Sequence, residues 1–460
     1  MINRDRSLRQ ESAVTEKVRT WTSHRERNLK MNRRSLVAIV SASTVSALAL
    51  TACGQAGQGG ASGSGDGPVQ LTMWTHSAGN PAELEVYQQI IKDFNASQDE
   101  YEVVEESFPQ GAYNDAIVAA AAADDLPCLL DMDGPIVPNW AWAGYIQPLG
   151  LPAEITDSLL PTAVGTYKDE IYSAGYWDAA LSIFARESVL TENGIRIPTT
   201  DEPWTVEEFD AALATLKGAG YDTPLDIGAE DTGEWWSYAY SPMLQSAGGD
   251  LIDRDTMLSS DGQLNGPEAV EFFTWFQDAF AQGYASNAGT IGNEEFNADE
   301  VALSYTGVWN ALDSLEAVGD DLLILPPPDF GNGPKIGGGS WQWGISSTCE
   351  SPEGARAYLE FSFADEYLTE FSDKQIVIPA TESATEASEH FSADGDLRAF
   401  VDLSKQFAEL RPQTPAYPVI SSTFEKAAKD IMNGADVQST LDGAVSEIDA
   451  NIQSNDGYGF

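Results

Sequence analysis

From residue 69 onward, apolar positions recur with a period of two and then of 3.6, in alternation. Val69-Gln70-Leu71-Thr72-Met73-Trp74 alternates apolar and polar side chains and predicts a strand. Residues 82–95 place Leu84, Val86, Tyr87, Ile90, Ile91 and Phe94 on one helical face. A second strand follows at 101–104, an Ala-rich helix at 113–123 and a short buried strand at 128–132. Strand alternating with helix predicts an α/β fold with a parallel sheet covered on both faces. Ligands of such sheets bind past the carboxyl ends of the strands. Trp74 to Ser77 and Asp131, Asp133 and Gly134 stand at those ends. Further along, Thr205-Val206-Glu207-Glu208 fits a capping box, and Pro267 opens an amphipathic helix over 266–282. The pattern also predicts a helix at 238–247 and strands at 301–305, 322–325 and 341–347. Residues 326–339, rich in Pro and Gly, predict a loop, and helices are predicted at 352–363, 424–432 and 437–452.

Ahead of this folded part the pattern changes. The basic start Met31 to Arg34 leads into a small and apolar run over 35–50, too short for a comfortable membrane span. The run ends in Leu50-Thr51-Ala52-Cys53, which resembles the bacterial lipobox. That resemblance implies cleavage before Cys53 and a diacylglycerol on its sulfur, hence a lipoprotein on the outer face of the cell membrane. Residues 31–52 are thus expected to be a signal peptide and 53–68, rich in Gly and Ser, a flexible tether. Residues 1–30 are polar with no apolar period, and Met31 is the expected start.

Composition narrows the partners. From Cys53 onward there are 14 Lys and Arg against 68 Asp and Glu, a net charge of −54 over 408 residues. Such a chain repels nucleic acid and anionic headgroups. No later stretch is apolar enough to span a membrane. Cys128 and Cys349 remain after Cys53, in a compartment that permits a disulfide. There is no CxxC, and Asp131-Met132-Asp133-Gly134 lacks the further acids of a calcium loop, so no metal or other cofactor is expected.

The order of these features resembles the extracellular solute-binding proteins of ABC importers, in the sugar-binding family that includes maltose-binding protein. The resemblance covers 69–455 and rests on several pieces. These are the opening strand with Trp74, the Ala-rich helix, Leu126-Pro127 turn and buried strand of 116–132, and Pro203-Trp204-Thr205 with Glu208-Phe209. The stretches 299–309, 337–347 and 411–417 complete the pattern. It implies a type II two-lobe fold with a ligand cleft between the lobes and hinge crossovers near Asp178, Gly339 and 377–379. The first lobe is expected to take 69–177 and 340–376, and the second 178–339 and 377–460. An aromatic face against a pyranose, with carboxylates accepting from its hydroxyls, is the chemistry of sugar recognition. By position in the family pattern, the expected ligand-binding residues are Trp74, Asp131, Asp133, Asp178, Trp235, Trp236, Trp309, Gly339 and Trp341. Adjacent Trp235 and Trp236 cannot both face a ligand, so one is expected in the core. Arg411 has two readings, a fork onto a sugar or an internal salt bridge.

The resemblance also brings Cys128 and Cys349 to the same edge of the first-lobe sheet, which implies a disulfide between them. The expected function is capture of an oligosaccharide or disaccharide and its delivery to a permease, by a monomer that catalyses nothing. Rival readings are a binder of another solute class, a secreted glycosidase and a sugar sensor.

Overall fold

Two β-sheets, each with its own packing of helices, organise the folded chain. The structure, a computed structural model, describes residues 67–460. The extension, the signal run, Cys53 and the tether up to residue 66 lie outside the described residues.

The first sheet begins with three strands in the predicted places, β1 (Val69–Thr75), β2 (Tyr101–Ser107) and β3 (Leu129–Asp133). β1 pairs in parallel with both neighbours, Val69 opposite Tyr101 and Met73 opposite Leu129. Three more strands, β4 (Ile146–Gln147), β5 (Val164–Tyr167) and β6 (Glu170–Ala174), extend it. Its helices include α1 (Pro81–Ser97) and α2 (Gln110–Ala122). The apolar stripe anticipated on α1 is buried, with Val86 and Ile90 fully covered. Asn80 caps α1 by accepting from the Glu83 backbone N–H at 3.3 Å.

A two-residue strand, β7 (Trp177–Asp178), leads to the second sheet. That sheet comprises β8 (Leu181–Arg186), β9 (Leu225–Asp226), β10 (Leu303–Gly307) and β11 (Leu322–Leu325), in the order β11-β8-β10-β9. Its helices include α3 (Val206–Ala219), α4 (Glu234–Ala247) and α5 (Pro267–Ala281). The capping box at α3 forms in both directions, between Thr205 and Glu208. β10 begins two residues later than expected, and the buried Val301 and Ala302 precede the ladder, with the Ala302 N–H donating to the Pro224 carbonyl.

After β12 (Ile336–Gly337), the chain returns to the first sheet as β13 (Trp341–Ser346). β13 inserts between β3 and β6 and runs antiparallel to both, with Trp341 opposite Asp133. Helices α6 (Pro352–Ser362) and α7 (Asp365–Gln375) follow, then β14 (Ile378–Pro379), which pairs with β7. The chain continues through α8 (Arg398–Phe407) and β15 (Ala408–Glu409), which pairs with β12. The last long helices are α9 (Tyr417–Met432) and α10 (Val437–Ser454). Cys128, ahead of β3, and Cys349, past the end of β13, are joined by a disulfide with Cα atoms 4.4 Å apart.

Among the described residues no helix is long and apolar enough to cross a membrane. No group of three or more His, Cys, Asp or Glu among them is arranged to hold a metal ion.

Candidate functional site

A cleft of about 630 Å³ opens between the carboxyl ends of β1 and β3 on one side and the β9–α4 and β10 turns on the other. Its size falls in the range of small-molecule sites. From the first sheet it is lined by His76, Asn80, Glu83, Asp133 and Trp341. Opposite stand Asp231, Glu234, Trp235, Tyr238 and Trp309, with Trp177, Gly339 and Arg411 at the base.

Trp341 opens β13 and lies half-buried against His76, their rings stacked with centroids 3.7 Å apart. The His76 Nδ1 is 2.6 Å from Asp131 Oδ2, and its Nε2 is 3.8 Å from Glu83. Burial pulls the imidazole pKa down, but Asp131, Glu83 and Asp133 together outweigh it and leave the pKa raised. Burial likewise pushes the Glu83 carboxyl up, against the opposing pull of His76. His76 thus props one face of Trp341 and leaves the other to the cleft.

Across the cleft, Trp309 meets Trp235 edge to face at 6.4 Å and lies 6.4 Å from Tyr238. Gly307 allows this, since a Cβ there would overlap the Trp309 ring. The Trp235 indole N–H donates to the Ile227 carbonyl at 3.1 Å, which fixes the plane of its ring.

Arg411 joins the two sides. Its Nη1 and Nη2 donate to the two oxygens of Asp133 at 2.7 Å each, and Nη1 also reaches Glu234 at 2.8 Å. Glu234 accepts in addition from the Tyr417 hydroxyl and from Ser421. Burial opposes the Arg411 charge, but Asp133, Tyr417 and Glu234 outweigh it and hold the guanidinium protonated. Burial pushes the Asp133 carboxyl up against the pull of Arg411, and Glu234, which shares the guanidinium, pushes it the same way.

Of the nine residues singled out in the sequence, Asp133, Trp235, Trp309, Gly339 and Trp341 line the cleft. The other four do not. Trp74 points away from the β1 face that carries Met73 and Thr75, and packs on Phe108 with centroids 4.6 Å apart. Asp131 lies two residues deeper along β3 than Asp133, 1% exposed and covered by His76. Asp178 is fully buried, accepting from the Ala179 and Gly339 backbone N–H groups at 2.9 and 2.8 Å and from Ser404 at 2.8 Å. Burial raises its pKa, and no face of it reaches the cleft. Gly339, at φ +121°, adopts a backbone conformation that side chains resist, and this turns its N–H onto Asp178. Trp236 is the core member of its pair, 0% exposed. The cleft also holds Glu83, Asp231, Glu234, Tyr238 and Trp177, which the sequence reading did not single out. Asn80 with Glu83 three residues on, a helix-start pattern just past a strand end, was an available signal for the first of them.

The family model described as bacterial extracellular solute-binding protein matches residues 89–399. Among solved structures, the GacH receptor of Streptomyces glaucescens GLA.O, determined unliganded and with acarbose and an acarbose homolog, is similar at a TM-score of 0.69 and 20% identity. It covers 84% of this chain and 98% of its own. The cyclic alpha-maltosyl-1,6-maltose binding protein from Arthrobacter globiformis is similar at a TM-score of 0.69 and 22% identity, over 84% of this chain and all of its own. An ABC transporter solute-binding protein from Thermotoga lettingae TMO, bound with alpha-D-tagatose, gives a TM-score of 0.67 at 20% identity, over 83% and 99%. The fold these structures share with it is the two-lobe, type II arrangement with the cleft between lobes. The chain belongs to the bacterial extracellular solute-binding protein family.

Proposed function

We propose that the protein captures a saccharide in this cleft and delivers it to the permease of an ABC importer, as a monomer tethered to the outer face of the membrane through a lipid on Cys53. It carries out no chemistry of its own. The lobes divide at 69–177 with 340–376 and 178–339 with 377–460, so that β7 with β14 and the link at Gly339 between β12 and β13 form the crossings about which they close. The observation that carries the reading is the facing pair of aromatic surfaces. Trp341 stands on one side and Trp309 with Trp235 and Tyr238 on the other, with carboxylates around both. Aromatic planes take up the C–H faces of a pyranose, and carboxylates accept from its hydroxyls.

Tryptophan fluorescence of the purified chain, titrated with maltose, trehalose, cellobiose, xylobiose, raffinose and their monomers, tests it. One sugar should give a saturable change, and Trp309→Ala should weaken it by about tenfold or more, or ~1.4 kcal/mol. Silence across the panel with no rise in melting temperature would transfer the reading to another solute class. Release of free sugar from a glycoside by the pure protein would make it a glycosidase.

A further inference from the structure

The charges around the cleft do not balance, and the excess has a sign. Glu83, Asp133, Asp231 and Glu234 line it, and the basic side chains among its lining residues are Arg411 and His76. The terminal nitrogens of Arg411 are already committed to Asp133 and Glu234. His76 is committed to Asp131 behind it and faces Glu83. Among the described residues the Asp231 carboxylate accepts only from the Ile291 backbone N–H, at 2.8 Å. Asp131, Glu83, Asp133 and Glu234 crowd these two groups, Asp231 pairs with neither, and the terminal nitrogens of Arg411 are not free to fork onto an anion, its Nε alone being without a partner among the described residues.

We infer that the saccharide this cleft takes carries a basic amine, whose ammonium meets the acids that Arg411 and His76 leave in excess, Asp231 first, with Glu234 and Glu83 beside it. The inference rests on the saccharide reading above and narrows it. An ammonium donates up to three hydrogen bonds and brings a compensating charge, whereas a hydroxyl donates one and brings none. A uronate or sugar phosphate meets repulsion, because the one guanidinium that could fork onto it is held by Asp133.

Calorimetry on the full chain with glucose, glucosamine and glucuronate, with the corresponding galactose series, and with cellobiose against the β-1,4 glucosamine dimer reads this directly. In at least one series the amino sugar should bind about tenfold more tightly than its neutral counterpart, and the uronate more weakly than either. High salt should narrow the preference. Asp231→Asn should reduce the ratio of neutral to amino dissociation constants by about threefold, and Glu83→Gln gives a second, independent reading of that ratio. A neutral sugar or a uronate binding as tightly as the amino form, or no amino sugar binding, overturns the inference. If a neutral sugar of the wider panel binds in that case, the saccharide reading survives alone. Binding of spermidine with no sugar binding would overturn the saccharide reading while retaining the preference for an amine.

Discussion

Arg411 and Asp133 meet through two parallel hydrogen bonds of 2.7 Å, and the side chains are only 5% and 12% exposed. Asp133 ends a strand of the first sheet, and Arg411 lies beyond β15, so this one pair ties distant parts of the chain across the cleft base. Arg411→Met leaves Asp133 buried without a cation and should cost about 3 kcal/mol or more in urea unfolding. Asp133→Asn leaves Arg411 its bond to Glu234 and should cost less. Small costs from both substitutions would mean that the pair adds little to stability.

Asp178 collects two backbone N–H groups and a hydroxyl in a place no water reaches. Asp178→Ala orphans the N–H of Ala179 and that of Gly339, and should destabilise by about 3 kcal/mol. Asp178→Asn keeps one acceptor oxygen and should recover part of that loss. Thermal unfolding of the two variants side by side checks the order.

Asp226 and His76 should each contribute a loss of stability as pH rises, in separate ranges. Burial, reinforced by Glu295, pushes the Asp226 carboxyl up to about 6 from the 3.8 of an open chain. Between those values the folded protein holds a proton that the unfolded chain has released. Stability therefore falls by up to about 3 kcal/mol from pH ~4 to ~6 and then levels. Asp226→Asn should flatten that step. His76, raised above 6.5, adds a contribution that is complete below 6.5 and lost as pH climbs through its folded value. His76→Gln should remove its own contribution and leave that of Asp226. Melting temperatures taken across the range for both variants separate the two.

The bond between Cys128 and Cys349 spans 221 residues of sequence. Losing it should cost about 3 to 5 kcal/mol, mostly by freeing the unfolded chain. Thiol counting on the unfolded, unreduced protein should find neither cysteine free, and Cys128→Ser with Cys349→Ser should lower the urea midpoint. Two free thiols would refute the pairing.

Much of the frame was legible because the strands of the first sheet are strongly patterned. β1, β2 and β3 fell within a few residues of their expected places, and the Thr205 capping box formed as spelled. Helices α7 and α8 were not anticipated. In α7 the buried Tyr367, Leu368 and Phe371 are scattered among acids, and α8 offers only about three turns after a Gly-containing loop. In the site, residue type outran position. Tryptophans and aspartates were sensible candidates, but whether Trp235 or Trp236 faces the cleft depends on how α4 is turned. Asp131 and Asp133 share a strand face, and only the covering His76 decides which of them a ligand can meet. That covering arises from a contact between β1, β3 and β13, which no local pattern encodes.

The central place of β13 also constrains how the molecule is made. Strands β3 and β6 have no common neighbour until residues 341–346 arrive, some two hundred residues after β3. A chain produced from its amino end therefore carries two open strand edges while the whole second sheet is being synthesised. Such edges are templates for pairing with other chains. The first sheet closes late and through distant partners, which makes its assembly slow. The interval between the emergence of β3 and that of β13 is when this protein is most exposed to aggregation, and when a holding chaperone would protect it most.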